Sequence, residues 1–186
     1  MGLCRMNAAQ TQLTVAERSL AMETLMLLTD RYGSRINATA GPLADGRDWF
    51  EMKEACREGR PMEGRGFLAG CNGPRQTIAV RADGAAIIPC LQLGHMALGR
   101  INHDDLLDVW QNHPELRKLR ERSLIPLSSF AFCRDCAYTD YCTGNCPATA
   151  YTITGEVNHP SPDACLRLFQ EQGGSLLERS PHHQSG

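Results

Sequence analysis

The chain has 186 residues, 42% of them hydrophobic, with a formal net charge of −2 and a pI of about 6.3. That length suits one ordinary domain or two small ones, and the charge gives no general attraction for nucleic acid or anionic lipid. No apolar run is long enough to span a bilayer, and the opening "MGLCRMNAAQTQLT" is too polar for a secretory signal. Gly2 follows Met1, but Met6 stands where a myristoylation signal has Ser or Thr.

Residues 1–12 read as a loose lead-in. Thr14 and Glu17 form a T-x-x-E capping box, and Leu20, Leu25 and Leu28 follow as an apolar series. Gly33 is placed to end that helix as a left-handed cap. "RINATA" (35–40) alternates like a short strand, "GPLADG" reads as a loop, and "RDWFEMKEACREG" (47–59) as a second helix closed by Gly59. The glycine-rich "EGRPMEGRG" reads as a linker. Beyond it, "QTIAV" (76–80) and "AAIIP" (85–89) flank an "RADG" turn and predict a β-hairpin. Short helices are expected over 104–111 and 114–122, the second opened by Pro114. "ATAYTITG" (148–155) predicts one or two helical turns, a short helix is expected after Cys165, and the tail reads as disordered. The run "ELRKLRER" (115–122) has an apolar edge at Leu116 and Leu119 and reads as an amphipathic helix with a solvated basic face. His95, His103, His113 and His159 are scattered and read as surface groups, with His182 and His183 in the tail.

The chemistry lies in the nine cysteines, at positions 4, 56, 71, 90, 133, 136, 142, 146 and 165. An odd count without an export signal argues against a disulfide framework and for a reducing compartment, so a cytoplasmic protein is expected. Metal is then the leading explanation. Seven thiols from Cys71 onward are too many for one tetrahedral zinc and awkward for two. Iron–sulfur clusters take cysteine thiolates, and bacterial ferredoxins end a cysteine run in C-P, with that last cysteine crossing to a second cluster. Residues 133–147, "CRDCAYTDYCTGNCP", end the same way. On that pattern Cys133, Cys136 and Cys142 hold one cluster, completed by Cys165. Cys146 crosses to a second, joined by Cys71 and Cys90 from the open end of the hairpin.

The spacing C-x(2)-C-x(5)-C-x(3)-C, with a cysteine downstream and a C…G…C hairpin upstream, resembles the SPASM domain. That module is the C-terminal extension of radical S-adenosylmethionine (radical SAM) enzymes that mature peptides and proteins. The likeness covers roughly residues 71–170, through "IAVRADGAAIIPC", "LGRINHDDLLDVW" and the cysteine block. One departure is that five residues, not four, separate Gly84 from Cys90, which a strand bulge would accommodate.

The resemblance implies an α+β fold: the C-terminal remnant of a partial (β/α) barrel over 1–65, a SPASM domain over 66–172 and a tail over 173–186. It implies two auxiliary [4Fe–4S] clusters. The outer one is held by Cys133, Cys136, Cys142 and Cys165, the inner one by Cys71, Cys90 and Cys146. For the inner cluster, the reading taken is an open iron site, the alternative being that Cys56 reaches it. Tyr138 and Tyr141, between ligands, are expected to shield a cluster from water. The C-x-x-x-C-x-x-C loop that binds S-adenosylmethionine in the complete enzyme is absent from the sequence given, so no catalytic residue is assigned and turnover alone is not expected. The resemblance further implies a precursor peptide or protein as substrate, a ferredoxin or flavodoxin as reductant, and a radical SAM core in a separate or longer chain. The alternatives are a stand-alone SPASM scaffold that binds a peptide or partner enzyme, and a zinc-stapled interaction domain.

Overall fold

Thr14 opens the first helix in both senses of a capping box: its hydroxyl accepts from the Glu17 N–H at 3.2 Å, and the Glu17 carboxylate accepts from the Thr14 N–H at 2.8 Å. The structure is a computed structural model that describes residues 12–84 and 86–176; Cys4, His182 and His183 lie outside them. Helix α1 (Val15–Tyr32) packs on α2 (Pro42–Glu58). The close approach is made at Gly46, where an added Cβ would stand 3.4 Å from Met26 Sδ and 3.5 Å from Met22 Cβ. Two expectations change here. The buried face of α1 carries Met22 and Met26, whereas Leu20 is 63% exposed. The strand expected over 35–40 is absent: residues 33–35 form a 3₁₀ turn, and Arg47 takes the Ile36 carbonyl and the Asn37 side chain. Helix α2 also starts earlier than the sequence suggests, at Pro42, whose missing N–H costs nothing at a first-turn position.

After the linker the chain runs through a one-turn helix α3 (Gly73–Gln76) into a three-stranded antiparallel sheet of β1 (Ala79–Val80), β2 (Ala86–Ile88) and β3 (Gly99–Arg100), in the order β1-β2-β3. The hairpin of the sequence reading is present, and the third strand was not foreseen. The register runs regularly from Ala79↔Ile88 to Val80↔Ile87, and the Arg81 N–H meets the Ala86 carbonyl at 2.9 Å, so the paired part of the hairpin carries no bulge among the described residues.

Helices α4 (Leu106–Asn112) and α5 (Pro114–Glu121) cover the sheet, burying Val109 and Leu116 against Ile87 and Leu98. Asp105 caps α4, and His113 caps α5 by accepting from the Glu115 N–H. Helices α6 (Pro147–Thr154) and α7 (Leu166–Glu171) each begin directly after a cysteine. The helical pair α1/α2 and the cysteine-rich part share a core, in which Met22, Trp49 and Met52 pack on Leu166 and Phe169. The fold is α+β, mostly helical with one small sheet. Among the described residues no helix is long and apolar enough to cross a membrane.

Candidate metal centre

The stretch carrying Cys133, Cys136 and Cys142 is shaped by short-range hydrogen bonds. Two 3₁₀ turns, Ala131–Cys133 and Thr139–Tyr141, flank it. The Cys136 N–H donates to the Cys133 carbonyl at 3.2 Å, and the Thr139 hydroxyl lies 2.9 Å from the Cys136 carbonyl and 3.1 Å from that of Cys133. Asp135 takes a left-handed backbone (φ 59°) between the two cysteines, a conformation Asp tolerates better than most residues. Cys165 is brought in by Asn145, whose side-chain amide donates to the Ala164 carbonyl at 2.9 Å.

These four cysteines line one partly open cavity, together with Met52, Leu127 and Leu166. It has ≈ 30 Å³ open to the centre of a water molecule, against the roughly 10–15 Å³ that a single water needs. Burial pushes the Cys133 thiol up to about 12, with the nearby thiolates of Cys142, Cys136 and Cys165 adding and Arg167 opposing. Burial likewise pushes Cys142 up to about 11, against the Gly144 N–H that points at its sulfur from 3.3 Å. Cys165 is raised by burial and held back by the Leu168 N–H at the start of α7. So crowded a set of sulfurs cannot carry its negative charge without cations among them.

Two buried donors on the same cavity, Ser161 Oγ and Arg167 Nε, have no hydrogen-bond partner among the described residues. Buried donors without acceptors are costly. Thiols that would ionise only beside cations, and donors that lack acceptors, together fit an iron–sulfur cluster, which would bring iron to the former and sulfide to the latter.

The second group is assembled from distant parts of the chain. Residues 66–70 lie between two other segments. The Leu68 N–H donates to the Ile125 carbonyl on one side, and the N–H groups of Gly66 and Gly70 donate to the Cys142 and Thr143 carbonyls on the other. The approach is so close that a Cβ on Gly70 would stand 2.5 Å from Asn145 Cα. Gly144 (φ 65°) and Asn145 (φ 59°) both turn left-handed, which reverses the chain between Cys142 and Cys146. Cys142 therefore faces the cavity while Cys146 turns to the other side. There Cys146 and Cys90 pack on one core of Leu93, Leu119 and Ala148. Burial raises the Cys71 thiol, opposed by the Gly73 N–H, with the thiolates of Cys146 and Cys90 raising it further and Arg122 lowering it. Pro147 occupies the first turn of α6 with Cys146 at its N-cap, which accounts for the Cys-Pro pair.

The seven cysteines thus fall into a group of four and a group of three. Cys56 belongs to neither: its thiol donates to the Ala137 carbonyl at 3.6 Å, beside the outer loop, and it does not reach the inner group. Tyr138 lines the cavity, and Tyr138 and Tyr141 pack on the Trp49 core behind it. Among the described residues no three His, Cys, Asp or Glu side chains converge tightly enough to hold a single metal ion. A four-iron cluster stands between its thiolates and keeps them farther apart than one zinc with Zn–S bonds of about 2.3 Å.

Sequence reading missed the polar groups around the sulfurs. Arg122, read as part of a solvated basic face, is only 2% exposed. Nothing in the composition of "ELRKLRER" separates it from Arg117. The only available signal was its position just past the last turn of α5, where the chain bends inward through a 3₁₀ turn. His103, read as a surface group, is exposed, with the Asp104 carboxylate at 3.2 Å.

The fold is a small α+β unit in which the cysteine-bearing turns lie near one another. Residues 71–137 match the family model of SPASM, an iron–sulfur cluster-binding domain. The match contains Cys71, Cys90, Cys133 and Cys136, while Cys142, Cys146 and Cys165 lie beyond its end. No curated protein and no solved structure matches the chain.

Proposed function

We propose that this chain is the auxiliary cluster-binding portion of a radical SAM enzyme that modifies ribosomally made peptides or proteins. In this reading Cys133, Cys136, Cys142 and Cys165 hold an outer [4Fe–4S] cluster, and Cys71, Cys90 and Cys146 an inner one with an open iron position. The observation that carries the reading is the cavity ringed by four cysteines and two partnerless donors, with a separate three-cysteine group one short turn away.

When bound, such clusters supply one-electron transfer and, at an open iron, a place for a ligand. The remaining work falls to the chain's own residues. The N–H groups of Gly144, Leu168 and Gly73 donate to the sulfurs of Cys142, Cys165 and Cys71, stabilising them as thiolates. Met52, Leu127 and Leu166 give the outer set an apolar wall. The reversal at Gly144–Asn145 holds the two sets at a fixed separation, as an electron relay requires. A reductant of the ferredoxin or flavodoxin class delivers the electron, a peptide or protein is the substrate, and the protein works in the cytoplasm.

Anaerobic reconstitution tests this. Two four-iron clusters predict about eight irons and about eight acid-labile sulfides per chain. A colourless, zinc-bearing protein after strictly anaerobic preparation contradicts it.

A further inference from the structure

The two thiol groups differ in the charge built around them. Arg122 is buried, its Nε donates to the Val157 carbonyl at 2.8 Å, and a terminal nitrogen of its guanidinium has no partner among the described residues. Val157 packs on the same core as Cys90 and Cys146. The turn after Cys71 is tied to the helix that leads into Arg122: Arg120 Nε donates to the Pro74 carbonyl and Arg75 donates to the Arg120 carbonyl. Arg122 thus sits at the inner group. No ion pair among the described residues joins it to a carboxylate; burial pushes its guanidinium below the ordinary arginine range, and the thiolates of Cys71 and Cys146 oppose that shift. A buried cation without a carboxylate is strongly disfavoured unless some other negative group stands against it.

The outer group also has an arginine, Arg167, which favours the charged forms of Cys133 and Cys165, but a carboxylate, Asp48, bears on Cys142 with the opposite sign. Arg167 also pairs with Glu171 at 3.2 Å and Asp48 with Arg65 at 2.7 Å. Charges of both signs act on the outer thiols, whereas the cation at the inner ones has no carboxylate partner among the described residues.

A cluster that accepts an electron becomes more negative, and a fixed cation beside it stabilises the reduced form. We propose that Arg122 sets the order of the two potentials, making the inner cluster the more easily reduced, so that an electron entering the domain comes to rest there. This rests on the two-cluster reading above. The step is a single-electron transfer from a low-potential carrier: no bond forms or breaks, and Arg122 keeps its proton throughout. Arg122 is a positioning residue, acting on substrate only through the potential of the inner site.

The experiment is a redox titration of the anaerobically reconstituted full chain, followed by electron paramagnetic resonance with soluble mediators. Two midpoints are expected in the unsubstituted protein, the higher one lost in Cys90→Ala and the lower one in Cys142→Ala. Arg122→Gln is expected to lower the higher midpoint by at least a tenfold change in the reduction equilibrium, about 59 mV for one electron, and to leave the lower one in place. Arg122→Lys, which keeps the charge, should restore most of the shift. The proposal is overturned if Cys90→Ala removes the lower midpoint, a test that needs no arginine variant and stands even if Arg122→Gln does not fold. It is equally overturned if Arg122→Gln folds and leaves the higher midpoint unmoved. About eight irons with unmoved midpoints sinks this inference and spares the two-cluster reading. About four irons in the unsubstituted protein sinks both.

Discussion

The outer and inner cysteine groups are built by opposite routes. Three of the outer four fall within "CRDCAYTDYC", and neighbouring residues shape them through turns and one threonine hydroxyl. The inner three come from positions 71, 90 and 146, and meet only when residues 66–70 dock between 125–127 and 142–143. A short closure costs little chain entropy, and a long one somewhat more. The outer group therefore depends chiefly on local backbone and on the helical pair behind it, the inner group on one tight backbone crossing.

The largest expected effect separates the two directly. Cys142→Ala should remove the outer complement, about four of about eight irons, and Cys90→Ala the inner one. Equal loss from both clusters in either variant, read by iron assay and by spectroscopy of each cluster, contradicts separable sites. Next comes Trp49→Ala. Trp49 is 1% exposed and shares its core with Tyr141 and Cys142, so a loss of about 3–5 kcal/mol is expected in chemical denaturation. Its outer iron should be lost to a chelator before its inner iron; the reverse order breaks the comparison. Gly70→Ala should show the opposite bias. Its Cβ would collide with the Asn145 backbone at 2.5 Å, costing about 1–3 kcal/mol and loosening inner iron first.

The smallest effect concerns pH. Burial raises the Asp45 carboxyl above its usual range despite the Arg18 guanidinium 2.8 Å away. A raised folded value means the associated stability is complete below the ordinary carboxylate pKa and declines as pH climbs through the raised one. Asp45→Asn should flatten that decline in a series of melts across the acidic range. An unchanged slope assigns the pH dependence elsewhere.

Much of this was legible wherever the determinant is local. The capping box at Thr14 and Glu17 formed as read, because both partners lie within one turn. The cysteine spacing and the proline after Cys146 were informative because ligand geometry and helix starts both depend on near neighbours. The reading failed where a distant partner decides. Residues 35–40 alternate like a strand, but no other strand lies alongside to complete a ladder. The apolar series of α1 marks its leucines, yet the helix buries Met22 and Met26, which stand against Gly46 of α2, where the missing side chain leaves room for flexible ones. The burial of Arg122 and the crossing at Gly70 depend on segments far away in sequence, and no window of the chain contains both halves of either contact.

The crossing at Gly70 has a mechanical consequence. The chain from Cys71 to Gly144 leaves and returns at this crossing as one long lobe, fastened again at Phe67–Pro126, Arg122–Val157 and Arg167–Phe132. The Arg81–Gly84 tip of that lobe is exposed, so a protease that clips it severs the chain without unfastening the base. Such a nicked protein should run as a single species in its native form and part into two fragments only on denaturation.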